Sequence, residues 1–448
     1  MAYFACPLRR LFPLTMLGRI WHLSWPLMLA NASAPLLGLV DTGLMGHQTD
    51  SRYLTAVALG ANLFGFVAWG FNLLTMATSG STAWIFGRSG LAAAGLWLRR
   101  LAVWVGGLGV LLVLLSPLLI ALGIGFYQPD DSVVAEHIRT YLGIRVWSVP
   151  LVLLNLLLAG WCIGVQRTRI NLWATLTAQI VNIALSVLLV VGLGWQVAGV
   201  AVGSVIGDLC AFLVYACSAW RVLHSQGAHR VSAALSAAIP PLSHYLRLAL
   251  PLLIRTLTLL FAFNWFARLG LQLGPDVVAA NAVLLSFLLV ISSLLDGYAN
   301  AAEALVGQHA GAGRRRRVQQ AILGSGLWSA GTALLLTLVF ALAAEFLIHL
   351  LTDLPGVRAV AIEYAIWLIL MPLYTWWAYW LDGVFIGLQW VRAMRNVLLI
   401  SVFAIYLPLS LLIPITSNHV IWILFAAMMA LRSLLMAGLV ARRWRHIT

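Results

Sequence analysis

The chain has 448 residues, 62% of them hydrophobic and only 9% charged. Soluble domains run at about 45–50% apolar and about 25% charged, so a water-soluble globular protein is excluded. The formal net charge of +14 does not mark a nucleic-acid binder, because the basic residues sit in short segments between long apolar runs.

Runs of about 20 apolar residues, enough to cross roughly 30 Å of hydrocarbon, recur from end to end. In chain order they predict twelve transmembrane helices: 22–46, 54–80, 101–123, 139–165, 171–194 and 197–220, then 246–271, 278–306, 319–350, 360–388, 395–415 and 418–441. The longest polar interruption, HSQGAHRVSAALSAAIPPLSHYLR, falls between the two sets of six. The expected fold is an all-α integral membrane protein of two pseudo-symmetric six-helix bundles around a central cavity. Its expected parts are an N-terminal lobe at 1–223, a linker at 224–245 and a C-terminal lobe at 246–448.

All 27 basic residues are Arg. They cluster in every second loop, from Arg9, Arg10 and Arg19 through Arg314, Arg315, Arg316 and Arg317 to Arg442, Arg443 and Arg445. The alternate loops hold most of the exposed acids, and this positive-inside pattern predicts both termini in the cytoplasm. The run GAGRRRRV therefore reads as a topology anchor on anionic lipid. Cys6, Cys162, Cys210 and Cys217 show no paired spacing, so no disulfide is expected.

In the first span, PLLGLVDTGLMG sets Asp41 among apolar neighbours. An ionised carboxylate costs about 2.5–3.5 kcal/mol at the bilayer centre, which makes Asp41 a candidate for function. Pro26 and Pro35 precede it and remove backbone donors, so the helix can bend there and couple protonation to shape. The fourth span offers Asn155. The fifth offers Gln179, Asn182 and Ser186, spaced i, i+3, i+7 on one face. The sixth offers Ser204 and Asp208 at i, i+4, with Gly203 and Gly207 allowing close helix approach. Together they would line a wet cavity between helices 1, 4, 5 and 6, although each Ser or Asn alone serves equally well as interhelical glue.

The second half carries SLLDGYANAAEALVG, with Asp296, Asn300 and Glu303 on one face of the eighth span. Arg255 and Asp382 are available as partners, and a self-neutralising cluster would lower the insertion cost. Arg145 and Arg432 have stems long enough to snorkel or to pair. The halves also look like copies. GWCIGVQRTR (160–169) and GVFIGLQWVR (383–392) match at both Gly, the Ile, the Gln and the final Arg, at an offset of 223. Six spans per half put both copies the same way up, as in transporters built from parallel repeats. No HExxH, CxxC or P-loop pattern occurs, so neither a metal, a cofactor nor an enzyme is expected.

Taken together, PLLGLVDTGLMGH, DGVFIGLQ (382–389) and LLDGYANAAEALVGQHAGA resemble the MATE multidrug and toxic-compound extrusion family, nearest to its bacterial DNA-damage-inducible F branch. The resemblance covers essentially the whole chain. It implies a monomeric, multi-pass protein of the bacterial inner membrane that exports lipophilic cations by alternating access, in exchange for protons or sodium. It also implies that Asp41 takes the coupling proton, that Pro26 is where the first helix bends, and that Asn182 and Ser204 belong to the same cavity. Ser186 stands where similar relatives carry an Asp, leaving Asp208 as the second available negative charge. Arg255 stands in a span where sodium-driven members tend to carry Glu, so protons are expected over sodium. The rival expectation is a lipid-linked precursor flippase of the wider superfamily, with Arg145 and Arg255 receiving phosphates.

Overall fold

The computed structural model describes residues 13–46, 51–127, 131–225 and 239–446, with the side chains at 34–43, 45, 46, 51, 67 and 68 outside that description. Asp41 and Pro35 fall in this last group: their backbone is helical, and their side chains are not described. Among the described residues every regular element is helical.

The first half comprises α1 (Leu14–Gly46), α2 (Ser51–Gly70), α3 (Leu73–Leu114), α4 (Ser116–Tyr127), α5 (Ser132–Arg145), α6 (Val149–Gly164), α7 (Thr168–Val187) and α8 (Gln196–Ser225). The second comprises α9 (Leu242–Leu271), α10 (Pro275–Gly311), α11 (Arg315–Leu351), α12 (Pro355–Glu363), α13 (Ala365–Gly387), α14 (Val391–Leu399), α15 (Leu407–Leu412) and α16 (Asn418–Arg442). Among the described residues nine helices are long and apolar enough to cross a membrane, and a tenth span forms if α12 and α13, bent by 50°, are taken together. α1 and α2, parts of whose side chains are not described, occupy the places expected of the first two spans.

The differences from expectation have local causes. The expected loop between spans 54–80 and 101–123 contracts to a single non-helical residue, Gly90, whose φ of +79° suits glycine. The expected span 139–165 is interrupted by a 3₁₀ turn at Val146–Ser148, because Pro150 in the first turn of α6 cannot continue the ladder of α5. Two π-helical turns, Leu188–Gly192 and Ile400–Tyr406, lie in the fifth and eleventh spans.

The repeat is a matter of backbone geometry. Gln166 and Gln389, at the matched positions, both take left-handed φ values, 62° and 58°. After α6, Gln166 N–H donates to Ile163 O (2.9 Å) and Arg167 N–H to Cys162 O (2.7 Å). After α13, Gln389 N–H donates to Ile386 O (2.9 Å) and Trp390 N–H to Phe385 O (2.8 Å), so both helices end in the same Schellman turn. The paired glycines explain the rest of the motif. A Cβ at Gly160 would lie 2.4 Å from Thr75 O, and one at Gly383 would lie 2.0 Å from Ala299 O. Gly164 and Gly387 are equally tight, against Ser79 O and Glu303 O at 2.8 Å each. Each GxxxG face thus lets α6 press on α3, and α13 on α10, backbone to backbone.

The chain divides into two compact units, Leu29–Tyr245 and Met1–Met28 with Leu246–Thr448. The expected lobe boundary at 223/246 therefore misplaces the start of α1. Trp21 stacks on Trp328 at 5.1 Å, Trp328 Nε1 donates to Leu17 O (3.2 Å), and Cβ atoms at Gly297 and Gly324 would touch Met28 and Ile20. The division falls two residues after Pro26, which is itself buried. At the far end of the second unit, Asn281 and Asn418 exchange amide hydrogen bonds at 2.8 Å while Trp422 Nε1 donates to Asn281 Oδ1 (2.9 Å), which pins α10 to α16.

Candidate functional site

In the Leu29–Tyr245 unit the expected stripe along α7 and α8 resolves into two separate clusters. The first is neutral. Asn182 Nδ2 donates to Ser204 Oγ (2.9 Å), and the Ser186 hydroxyl donates to Asn182 Oδ1 (3.1 Å). All three side chains are buried. Sequence spacing explains the contact: Asn182 and Ser186 are one turn apart on α7, and Gly203 removes the bulk that would part the helices, since a Cβ there would sit 2.7 Å from Ser186 Oγ. Gly207 does the same against Ala178 O at 2.7 Å. Gln179 is half-buried on the same helix.

The second cluster is ionic. Arg145, at the end of α5, pairs with Asp208 of α8 at 2.6 Å and also donates to Ser148 Oγ (3.0 Å). Its guanidinium lies 3.8 Å from the Phe64 ring centroid, a cation–π contact. Asn155 Nδ2 donates to the Asp208 backbone carbonyl (2.9 Å), tying α6 to α8. Asp208 is thus engaged by Arg145, which corrects its expected role as a second free negative charge beside Asp41. Asn155 Oδ1 and Arg145 Nε are buried without a hydrogen-bond partner. An apolar cavity of about 170 Å³ opens beside the pair, lined by Phe64, Leu119, Leu142, Val146 and Val149 among others.

The C-terminal unit buries a denser charge group. Asp382, at the end of α13, accepts from Arg255 of α9 and from Arg432 of α16, the latter at 2.5 Å to each oxygen. The three residues are 6%, 7% and 3% exposed. Asp296 of α10 is close enough to Asp382 and Arg255 to feel both charges. Glu303 is buried two turns further along α10, and Asn300 is half-buried between them. Arg145 and Arg432 are the residues the sequence reading left unassigned. The signal was present, since an Arg inside an apolar span needs a counter-charge, but spacing along one helix does not say which carboxylate on another it will meet. Among the described residues the three buried Arg, Arg145, Arg255 and Arg432, are each engaged with a carboxylate, Arg145 and Arg255 of the rival expectation included.

Comparison with known proteins agrees with this organisation. The MatE family model matches twice, at residues 26–188 and 251–412, one copy per repeat. DNA damage-inducible protein F of Escherichia coli is 34% identical over 431 residues, covering 96% of this chain and 93% of that protein. A probable multidrug resistance protein NorM of Aromatoleum aromaticum is 26% identical over 368 residues, covering 79% and 78%. Among solved structures, a MATE in the straight conformation superposes with a TM-score of 0.83 at 16% identity, over 96% of this chain and 97% of that one.

Proposed function

We propose that this chain, which belongs to the MatE family, is a secondary antiporter that exports lipophilic cations in exchange for protons. Membership makes it a multi-pass membrane transporter and not an enzyme. The proposal adds the coupling ion, the cargo charge and the residues.

The observation that carries the reading is the Arg145–Asp208 pair. The spans expected from the sequence in the Leu29–Tyr245 unit hold two carboxylates, Asp41 and Asp208; Glu136, near the start of α5, is exposed. With Asp208 committed to Arg145, Asp41 is the one left to exchange a charge. Ionised, it attracts an organic cation into apolar surroundings. Protonated from outside, it loses that attraction and the cation leaves. Asn182, Ser186 and Ser204 serve this cycle as a neutral polar surface that neither competes with the cargo for charge nor costs desolvation of ions. Pro26, at the place where α1 passes from one compact unit to the other, is where the helix would bend as access alternates. A charge crossing 100 mV carries about 2.3 kcal/mol, and one pKa unit is about 1.36 kcal/mol. An exchange of one proton for one cationic charge moves no net charge, so the pH difference, at about 1.36 kcal/mol per unit, is what drives it. The Arg distribution supports an orientation with the basic loops and both termini in the cytoplasm of a bacterial cell.

Everted vesicles test this directly. Asp41→Asn should abolish pH-driven efflux of a cationic dye while leaving thermal stability close to wild type. Dye efflux by Asp41→Asn at the wild-type rate removes the assignment, and efflux that requires sodium at fixed pH replaces the coupling ion.

A further inference from the structure

The turn between α10 and α11 gathers hydrogen-bond donors around no described acid. α10 ends at Gly311, and Gly313, with φ +67°, leads the chain into Arg314, Arg315, Arg316 and Arg317. Arg314 N–H donates to the His309 carbonyl at 2.8 Å. α11 begins at Arg315 with no side-chain cap; Arg317 and Val318 N–H donate to Arg314 O, and the Arg315 and Arg316 N–H groups are left over. In the last turn of α10, His309 is only 6% exposed, and its Nε2 is buried without a hydrogen-bond partner. The charges of Arg19, Arg317 and Arg314 all bear on that ring, and Arg19, which donates to Gln308 Oε1 at 3.3 Å, is also close to Arg317. Among the described residues no ion pair joins Arg314, Arg315, Arg316 or Arg317 to a carboxylate.

The turn itself does not demand this chemistry. At the repeat offset of 223, Gly313 corresponds to Gly90, which also has a positive φ (+79°), is preceded by Arg88 and Ser89 and is followed by Leu91, Ala92, Ala93 and Ala94. His309 corresponds to Phe86. The first copy carries one guanidinium group, Arg88, which lies over the Trp84 ring, whereas the second presents four, with helix N–H groups and a buried imidazole.

We infer that the α10–α11 turn is a binding site for a phosphate group. Its oxygens accept from the Arg315 and Arg316 N–H groups at the start of α11 and from the Arg314 and Arg317 guanidinium groups, with His309 Nε2–H as a further donor. The phosphate is carried either by an anionic phospholipid at the membrane surface or by the free ion, and the two sources share the recognition chemistry.

The purified full-length protein in detergent is titrated with phosphatidylglycerol, phosphatidylcholine and inorganic phosphate, reading bound lipid by native mass spectrometry and phosphate by calorimetry. Phosphatidylglycerol should bind about tenfold more tightly than phosphatidylcholine, and Arg314→Gln/Arg317→Gln should erase the difference. Arg392→Gln/Arg395→Gln removes the same charge elsewhere in the unit and should leave it intact. His309→Phe should weaken binding, and His309→Gln, which keeps a donor, should restore most of it. Displacement of the lipid by millimolar phosphate assigns the free ion, and lipid binding that phosphate does not disturb assigns the headgroup. Equal loss in the two double-Arg variants, or unchanged binding in His309→Phe, reduces the site to general surface charge and overturns the inference.

Discussion

In the Leu29–Tyr245 unit the polar groups buried between α7 and α8 are an amide and two hydroxyls, whereas the other unit buries two guanidinium groups on one carboxylate. Both arrangements satisfy polar groups inside an apolar protein, but they differ in what it costs to disturb them. A neutral hydrogen bond contributes about 0.5–1.5 kcal/mol, so the Asn182 network can be remade at modest cost. Removing one partner from a buried ion group leaves a stranded charge, at about 3–5 kcal/mol. The Asp382 cluster therefore acts as a clamp holding α9, α13 and α16, while the Asn182 network permits rearrangement within the unit that carries Asp41.

The sharpest way to break this contrast is the same substitution made in both units. Asp382→Asn should cost about 3–5 kcal/mol, seen as a large fall in the thermal transition of the detergent-solubilised protein or as loss of folded protein. Asp208→Asn should cost less, because its side chain is 24% accessible and Arg145 keeps Ser148 and Phe64. Equal losses would mean that the clamp is no more than an ordinary pair. Next in size are the paired glycines. Gly383→Ala and Gly160→Ala each push a methyl group against a backbone carbonyl, at about 1–3 kcal/mol, with Gly383 the worse because its approach is 2.0 Å against 2.4 Å. Should Gly160→Ala prove the more damaging, the two interfaces are not equivalent.

Ser204→Ala removes one acceptor from the neutral network and should lower stability by about 1 kcal/mol, with dye efflux retained. A collapse of efflux at unchanged stability would move Ser204 from scaffold to cargo contact. The smallest effect is expected at the repeated turns. Gln166→Gly and Gln389→Gly relieve left-handed backbone strain and should each stabilise by about 1 kcal/mol, less the extra freedom glycine gives the unfolded chain. The thermal shifts should agree, since the two turns make the same hydrogen bonds.

The all-helical membrane fold was legible in the length and spacing of the apolar runs, because the bilayer imposes a fixed length on every crossing segment. The repeat was legible in five matched positions of a ten-residue stretch, yet its cause was not: the glycines and glutamines stand where backbones touch and where a helix must end left-handed. Span ends were less legible around residues 80–101, where one glycine replaced an expected loop. The candidate site was half legible. Asn182, Ser186 and Ser204 meet as their helical faces predict, but Asp208 turns away to Arg145.

By itself the chain of residues determined that this protein lives in a membrane, how many times its pattern repeats, and which polar side chains are costly enough to demand a reason. Those properties depend on local hydropathy and on neighbours three or four positions away, and a linear chain records both. Tertiary structure alone decided which carboxylate each buried Arg answers, and that α1 begins in one unit and ends in the other. Such pairings join residues 50 to 127 positions apart, chosen by which helix faces fit together, and no local pattern encodes that distance.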